Sequence, residues 1–341
     1  MKRSSLYKTL AFALVGLGFS ASVTAQSNIN DLLAAGLDDA ERFTTDYLAP
    51  VSEATVYSLA GSWLNTATAK PLGGFEISIV GSLAPFGNKD DKRAFVLNTA
   101  EYENLRFQDG STSKEVATAL GDIEGVTVVI EDENGLFSES FELPSGLGSE
   151  DINALPAGFL QGSVGLIKGT EVKVRFLPKI KADGAEVGLY GFGILHDFSS
   201  HLPAEKLWPV SLSGFIGYTQ LSGTYDFTDT NFIDGENQRI DSEMRAWTFQ
   251  AVVSTRLPVI NFYGSLGYIS GSSDTDILGT YVVTSGPFQT TYVDPFSISE
   301  KFSGASGSVG AKLKLGFFRL HAEYSVAAFD TFTVGMHFGM R

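Results

Sequence analysis

From Phe75 onward, the chain repeats one pattern: apolar and polar residues alternate in segments of about ten residues, the length of a tilted membrane strand. A period of two puts each kind of side chain on its own face of a β-strand. In 317–326, Phe318, Leu320, Ala322, Tyr324 and Val326 oppose Arg319, His321, Glu323 and Ser325. In 247–256, Trp247, Phe249, Ala251 and Val253 oppose Thr248, Gln250, Ser254 and Arg256, with Val252 the apolar exception. In 305–315, Val309, Ala311, Leu313 and Leu315 oppose Ser306, Ser308, Lys312 and Lys314. In the last segment, Phe332, Val334, Met336, Phe338 and Met340 oppose Thr333, Gly335, His337 and Gly339. No uninterrupted apolar run of about 18 residues follows residue 25, so a membrane crossing would have to use strands.

Six further segments alternate less regularly: 75–83, 159–167, 172–180, 187–195, 210–221 and 260–268. Their order provides a test. If the last strand runs inward, the short links at Gly316, 257–259 and 168–170 fall on the periplasmic side. The long stretches 84–157, 222–244 and 271–303 then fall outside, as outer-membrane barrels require. The link 198–208 is the one long inner connection. Two hairpins are expected within the outer stretches: 126–130 with 137–143 around Glu133-Asn134-Gly135, and 281–283 with 290–293. Trp208, Tyr218, Trp247, Tyr268, Phe317 and Phe329 lie near strand ends, where aromatic girdles mark the two membrane surfaces. A soluble sandwich would also alternate, with its apolar face as a core; what counts against it here is charge and glycine on the polar faces beside apolar faces free of charge to the strand ends. The expected fold class is all-β: a transmembrane antiparallel β-barrel of 10–14 strands with a short N-terminal helical segment.

Lys2, Arg3 and Lys8 precede an apolar stretch and then small residues around Ala25, the order of a secretory signal peptide over 1–25. Removing those three of the 24 basic residues leaves 21 against 39 acids, a net charge of −18. That balance argues against a nucleic-acid partner. The absence of cysteine excludes disulfides, thiolate metal sites and a thiol nucleophile. Residues 26–70 form the helical or plug segment. Asn28, Asn30 and Asp31 offer caps, and Leu32, Leu33, Leu37, Ala40, Phe43 and Tyr47 recur at helical spacing before a break near Pro50. The barrel occupies 71–341.

The polar faces supply the candidate lumen-lining residues: Lys173, Arg175, Gln250, Arg256, Lys312, Lys314, Arg319, His321 and Glu323. Converging basic residues would favour anionic solutes. Pairing with Glu171 and Glu323 would merely satisfy the interior. His321 between Arg319 and Glu323 has the makings of a base with its orienter, but such rows arise automatically from period-two placement, and no nucleophile elbow accompanies them. The acid-rich run 229–235 misses the spacing of a calcium loop. No enzyme activity, metal or cofactor is expected.

Several motifs carry a resemblance: Asp31-Leu32-Leu33-Ala34-Ala35-Gly36, Phe43-Thr44-Thr45-Asp46-Tyr47-Leu48-Ala49-Pro50, Gly74-Phe75-Glu76-Ile77-Ser78, 107–114, Tyr190-Gly191-Phe192-Gly193 with His196-Asp197, and Gly217-Tyr218-Thr219. Together they resemble an uncharacterised family of exported proteins from Bacteroidota-type bacteria, which implies an outer-membrane barrel of unassigned role. The stretch 47–83 is similar to the start of the long-chain fatty-acid transporter family, where a plug leads into the first strand. It departs in having Asn65-Thr66-Ala67 where that family carries an Asn-Pro-Ala-Gly-type motif. The final residues Phe338-Gly339-Met340-Arg341 also depart from the terminal aromatic of the usual assembly signal. The expected function is a passive channel or transporter for small hydrophobic or anionic solutes, in contact with outer-membrane lipid. The alternative is a non-transporting scaffold or secretion partner presenting the acidic stretch 115–167.

Overall fold

The computed structural model describes residues 24–131, 138–182, 184–203, 209–226, 235–285 and 288–340. Helices α1 (Thr24–Ala34) and α2 (Leu37–Ala60) precede β1 (Phe75–Pro85). Then come α3 (Asp90–Arg93) and five short strands: β2 (Ala94–Asn98), β3 (Leu105–Phe107), β4 (Ser113–Ala117), β5 (Thr127–Glu131) and β6 (Ser138–Glu142). The wall resumes with β7 (Ala154–Gly165), β8 (Thr170–Ala182), β9 (Ala185–Asp197), β10 (Val210–Asp226), β11 (Gly235–Thr255) and β12 (Ile260–Ser285). It ends with β13 (Phe288–Val293), β14 (Phe296–Leu315), β15 (Phe318–Val326) and β16 (Thr331–Met340).

Ten strands close into one antiparallel ring, in the order β1-β7-β8-β9-β10-β11-β12-β14-β15-β16 and back to β1. All ten expected segments lie in it. Both expected hairpins form, as β5–β6 and β12–β13, but neither adds a strand to the ring. The turn at 133–135 lies outside the described residues. Instead, β5 and β6 join β3, while β2 pairs with β4, in two small sheets packed over the outer end.

The ring inverts the order of a soluble barrel. Glu76 on β1 is 1% exposed, while its neighbour Ile77 is 56% exposed. Phe176, Ile194, Phe262, Val309 and Phe332 also point outward and stay exposed. The apolar belt ends at an aromatic row, in which Phe192, Tyr218 and Trp247 pair across β9, β10 and β11. Beyond it the outer faces of β11 and β12 turn charged, and Arg245 bridges Glu243 and Asp274. Lipid favours the first surface and water the second, with the aromatic row between. Tyr218, Trp247 and Tyr268 therefore occupy the expected girdle. Phe329 does not: it is 1% exposed and buried in the core. Trp208 lies outside the described residues.

The strands outlast the membrane. Two of the three stretches expected as outer excursions, 222–244 and 271–303, are mostly wall: β10 runs on to Asp226, β11 starts at Gly235, β12 reaches Ser285 and β14 begins at Phe296. Above the membrane both faces of the wall can be polar, so alternating hydropathy fades while the hydrogen-bond ladder continues. Part of the expected acidic presentation stretch is likewise wall, because β7 begins at Ala154.

The N-terminal segment fills the lumen. Leu32 and Leu33 on α1 pack against Ile277, Tyr281 and Val283 near the outer end of β12. From there α2 descends through the ring, and Ala54, Val56, Tyr57, Leu59 and Ala60 bury against the wall all round. The chain emerges at the inner end, where Phe75 pairs with Met340. The N-terminal helix therefore stands inside the ring, between the wall strands. The break expected near Pro50 is absent: α2 runs through Pro50 to Ala60. Packing on all sides overrides the cost of a mid-helix proline. The true break is Gly36, whose φ of 107° only glycine adopts freely. Asp39 anchors this corner, accepting hydrogen bonds from the backbone N–H of Glu103 (2.8 Å), Asn104 (2.8 Å) and Leu105 (3.2 Å).

Candidate functional site: an apolar chamber above an ionic floor

Residues 61–72 run from the end of α2 to β1 across the inner half of the barrel, and the polar faces of the strands hold them. Glu76 sits at the centre. It accepts from Arg319 Nη1 (2.6 Å), Asn65 Nδ2 (3.0 Å) and Lys312 Nζ (3.3 Å). Lys70 Nζ lies 3.5 Å from Glu76 and 2.9 Å from Glu171, which also pairs with Lys173 at 2.7 Å. Lys312 Nζ donates to Asn65 Oδ1 at 2.8 Å as well. Nearby, Thr68 meets Ser211 (2.8 Å) and Thr66 meets Ser254 (3.1 Å). Lys70, Lys173, Lys312 and Arg319 each therefore meet Glu76 or Glu171, the condition for keeping these ions out of water.

Arg175 fixes the end of the helix. Its guanidinium donates to the carbonyls of Leu59 (3.0 Å) and Gly61 (2.6 Å) and to Gln161 Oε1 (3.1 Å). It is sandwiched between the rings of Trp63 (3.7 Å) and Phe159 (4.2 Å). A cation on the last carbonyls also suits the negative end of the helix dipole.

Of the nine residues read as lumen-lining, Lys173, Arg175, Lys312, Arg319, His321 and Glu323 are buried on the inner face, and Gln250 is half-buried there. Arg256 lies at the inner end, bonded to Ser211 (2.7 Å) and Ser199 (2.8 Å). Lys314 reaches the Leu257 carbonyl at the rim (3.0 Å). Together they do not line an open path, because the plug occupies it. His321 Nδ1 lies 2.5 Å from His337 Nε2, and His337 Nδ1 lies 2.6 Å from Ser78. Glu323 bonds Ser325 at 3.1 Å. The base-and-orienter row on β15 is thus not assembled. Gly335 leaves the space that the His321 ring occupies, since a Cβ there would overlap it. Reading the strands alone missed Lys70, Asn65 and Glu76, the plug side and hub of this network. The signal for Glu76 was its isolation as a lone acid on the alternating segment 75–83.

Above this floor lies a cavity of about 270 Å³ between α2 and the wall. Val51, Thr55 and Ser58 face it from the helix, and Leu189, Leu221 and Met244 from the strands. Among the described residues no Asp, Glu, Lys, Arg or His lines it. Apolar walls with a few polar atoms are the usual make-up of a small-molecule site.

The wall beside this chamber is incomplete. Among the described residues, pairing between β7 and β8 ends at Leu160 with Phe176. Residues 154–159 of β7 still pair with β1, and the upper part of β8 pairs with β9 through an irregularity between Leu177 and Ile180. Pro156 and Pro178 sit on the two unpaired edges, where a missing N–H costs no ladder bond. Leu155, Pro156, Ala157, Gly158 and Leu177 line both seam and chamber.

A closed, lipid-faced ring with a helical plug, an ionic floor and an apolar chamber defines a plugged transmembrane β-barrel. Among the described residues no helix is long and apolar enough to cross a membrane. The chain belongs to a family of unknown function, DUF6588, whose model matches residues 1–340. Among solved structures, the chain is similar to the translocator domain of autotransporter NalP from Neisseria meningitidis, at 11% identity and TM-score 0.31, covering 86% of this chain and 95% of that one. It is similar to Ail, the attachment invasion locus protein of Yersinia pestis, at 10% identity and TM-score 0.27, covering 79% and 100%. A Pseudomonas aeruginosa FadL homologue matches at 9% identity and TM-score 0.22, covering 78% and 89%. No curated protein matches the chain.

Proposed function

We propose that this chain is a bacterial outer-membrane transporter for small hydrophobic solutes, exported by a signal peptide over 1–25 that is then removed. The apolar chamber beside an unpaired seam carries this reading. A lipophile gains by leaving water for such walls, and a seam between β7 and β8 offers it a path from the lipid without crossing the charged collar. Onward passage requires α2 and residues 61–72 to shift. The floor then acts as a latch that keeps the resting barrel closed to ions and water. The basic rows that could attract an anionic solute are engaged in that floor, with Glu76, Glu171 and the plug as partners. Transport of this kind needs no catalytic step.

The test is uptake of a lipophilic fluorescent dye by a deletion strain. Wild-type protein restores uptake on this reading. Val51→Trp, which fills the chamber from α2, leaves the strain at the deletion level while the barrel still assembles. Equal uptake with and without the gene removes the reading.

A further inference from the structure

We propose that the chamber is built for an uncharged lipophile with one hydroxyl or carbonyl oxygen, and that Ser58 is the residue that bonds it. This rests on the hydrophobic-solute reading and narrows its substrate class. Ser58 is 5% exposed, lines the chamber, and its hydroxyl has no hydrogen-bond partner. A helical serine or threonine ordinarily satisfies itself on the carbonyl one turn back. Thr45 does so on Glu41 (2.7 Å) and Thr55 on Val51 (2.8 Å). Three other hydroxyls lining the chamber are engaged: Ser52 with Ser273 (3.3 Å), Ser242 with Thr275 (3.1 Å), and Tyr47 with the Ser145 carbonyl (2.7 Å). Ser58 therefore carries an unbonded hydroxyl into an apolar-walled chamber, and a buried hydroxyl left unbonded is costly unless something bonds it.

The rest of the lining sets the charge of the ligand. Among the described residues no ionisable side chain except tyrosine faces the chamber. A carboxylate or ammonium there would lose its hydration without gaining a counter-charge. The cation at the foot of this helix is Arg175, and the carbonyls of Leu59 and Gly61 with Gln161 already occupy it. One neutral polar atom on an otherwise apolar body matches both observations, whether the source is an alcohol or a ketone.

Three probes of equal chain length separate the outcomes: 1-decanol, decane and decanoate at pH 8, offered to the folded full-length mature protein in detergent and counted by native mass spectrometry. Decanol is expected to bind tightest. Ser58→Ala, which keeps the helix because alanine is the better helix former, is expected to weaken decanol about 2- to 10-fold, the range for one neutral hydrogen bond, and to leave decane unchanged. Decanoate binding as tightly as decanol, or decanol binding unaltered by Ser58→Ala, overturns the inference while leaving a hydrophobic-solute chamber intact. Binding of none of the three to the wild-type protein overturns that reading and this inference with it.

Discussion

Glu76 shows how much one residue can hold. Itself 1% exposed, it contacts Lys312 and Arg319 on two strands and Asn65 and Lys70 on the plug, all of them buried. Replacing it with Gln removes the negative charge and leaves Lys312 and Arg319 without their shared carboxylate. Losing one partner of a buried ion network costs about 3–5 kcal/mol, so Glu76→Gln should unfold at clearly lower urea concentration than wild type. An unchanged midpoint would mean that Glu76 is not the hub. Asp31 works at the other end. Burial, with Glu139 nearby, raises its pKa to about 6. An acid whose folded pKa is raised costs the fold nothing below its ordinary value near 3.8. It destabilises the fold increasingly as pH climbs from that value to about 6, and the full penalty persists above it. The α1 region should therefore resist limited proteolysis better at pH 5 than at pH 8, and Asp31→Asn should remove the difference.

At the scale of elements, α2 and residues 61–72 decide whether the barrel is open. Planar-bilayer recordings of wild type should show currents near baseline, because helix and floor fill the lumen. Deleting residues 26–72 should yield a barrel with stable, much larger conductance, and Arg175→Ala should give brief intermediate openings as the helix end loosens. A wild-type protein that conducts as freely as the deletion would contradict the plugged state. The plug helix was legible from its apolar spacing. Its length was not, because Pro50 signals a stop to local rules, and only enclosure by the ring outweighs that signal. The floor was half legible. Alternation placed Lys173, Lys312 and Arg319 inward, but nothing local says that Glu76, rather than Glu323, gathers the charges.

At the scale of the molecule, a closed ladder of ten strands should resist detergent until heated. Unboiled protein should migrate differently from boiled protein on a gel, and the mature chain should need detergent to stay dispersed. Identical migration, with solubility in plain buffer, would refute a lipid-facing exterior. The strands that continue beyond the aromatic row also make the outer half of the molecule a rigid collar. Hydrogen exchange at 270–278 should therefore be as slow as within the membrane belt.

What the sequence determined by itself is the wall: ten segments, their inward and outward faces, and the end that carries the short turns. Those follow from a period of two, which is a local property of each strand and survives any arrangement of its neighbours. Tertiary structure alone decided the rest. It set the height of the collar, where both faces meet water and hydropathy no longer alternates. It chose which charges meet, because Glu76 and Lys70 are near in sequence while Lys312 and Arg319 are some 240 residues distant. It also made the chamber and the seam, which exist only where a helix stands off from a wall and two strands part company.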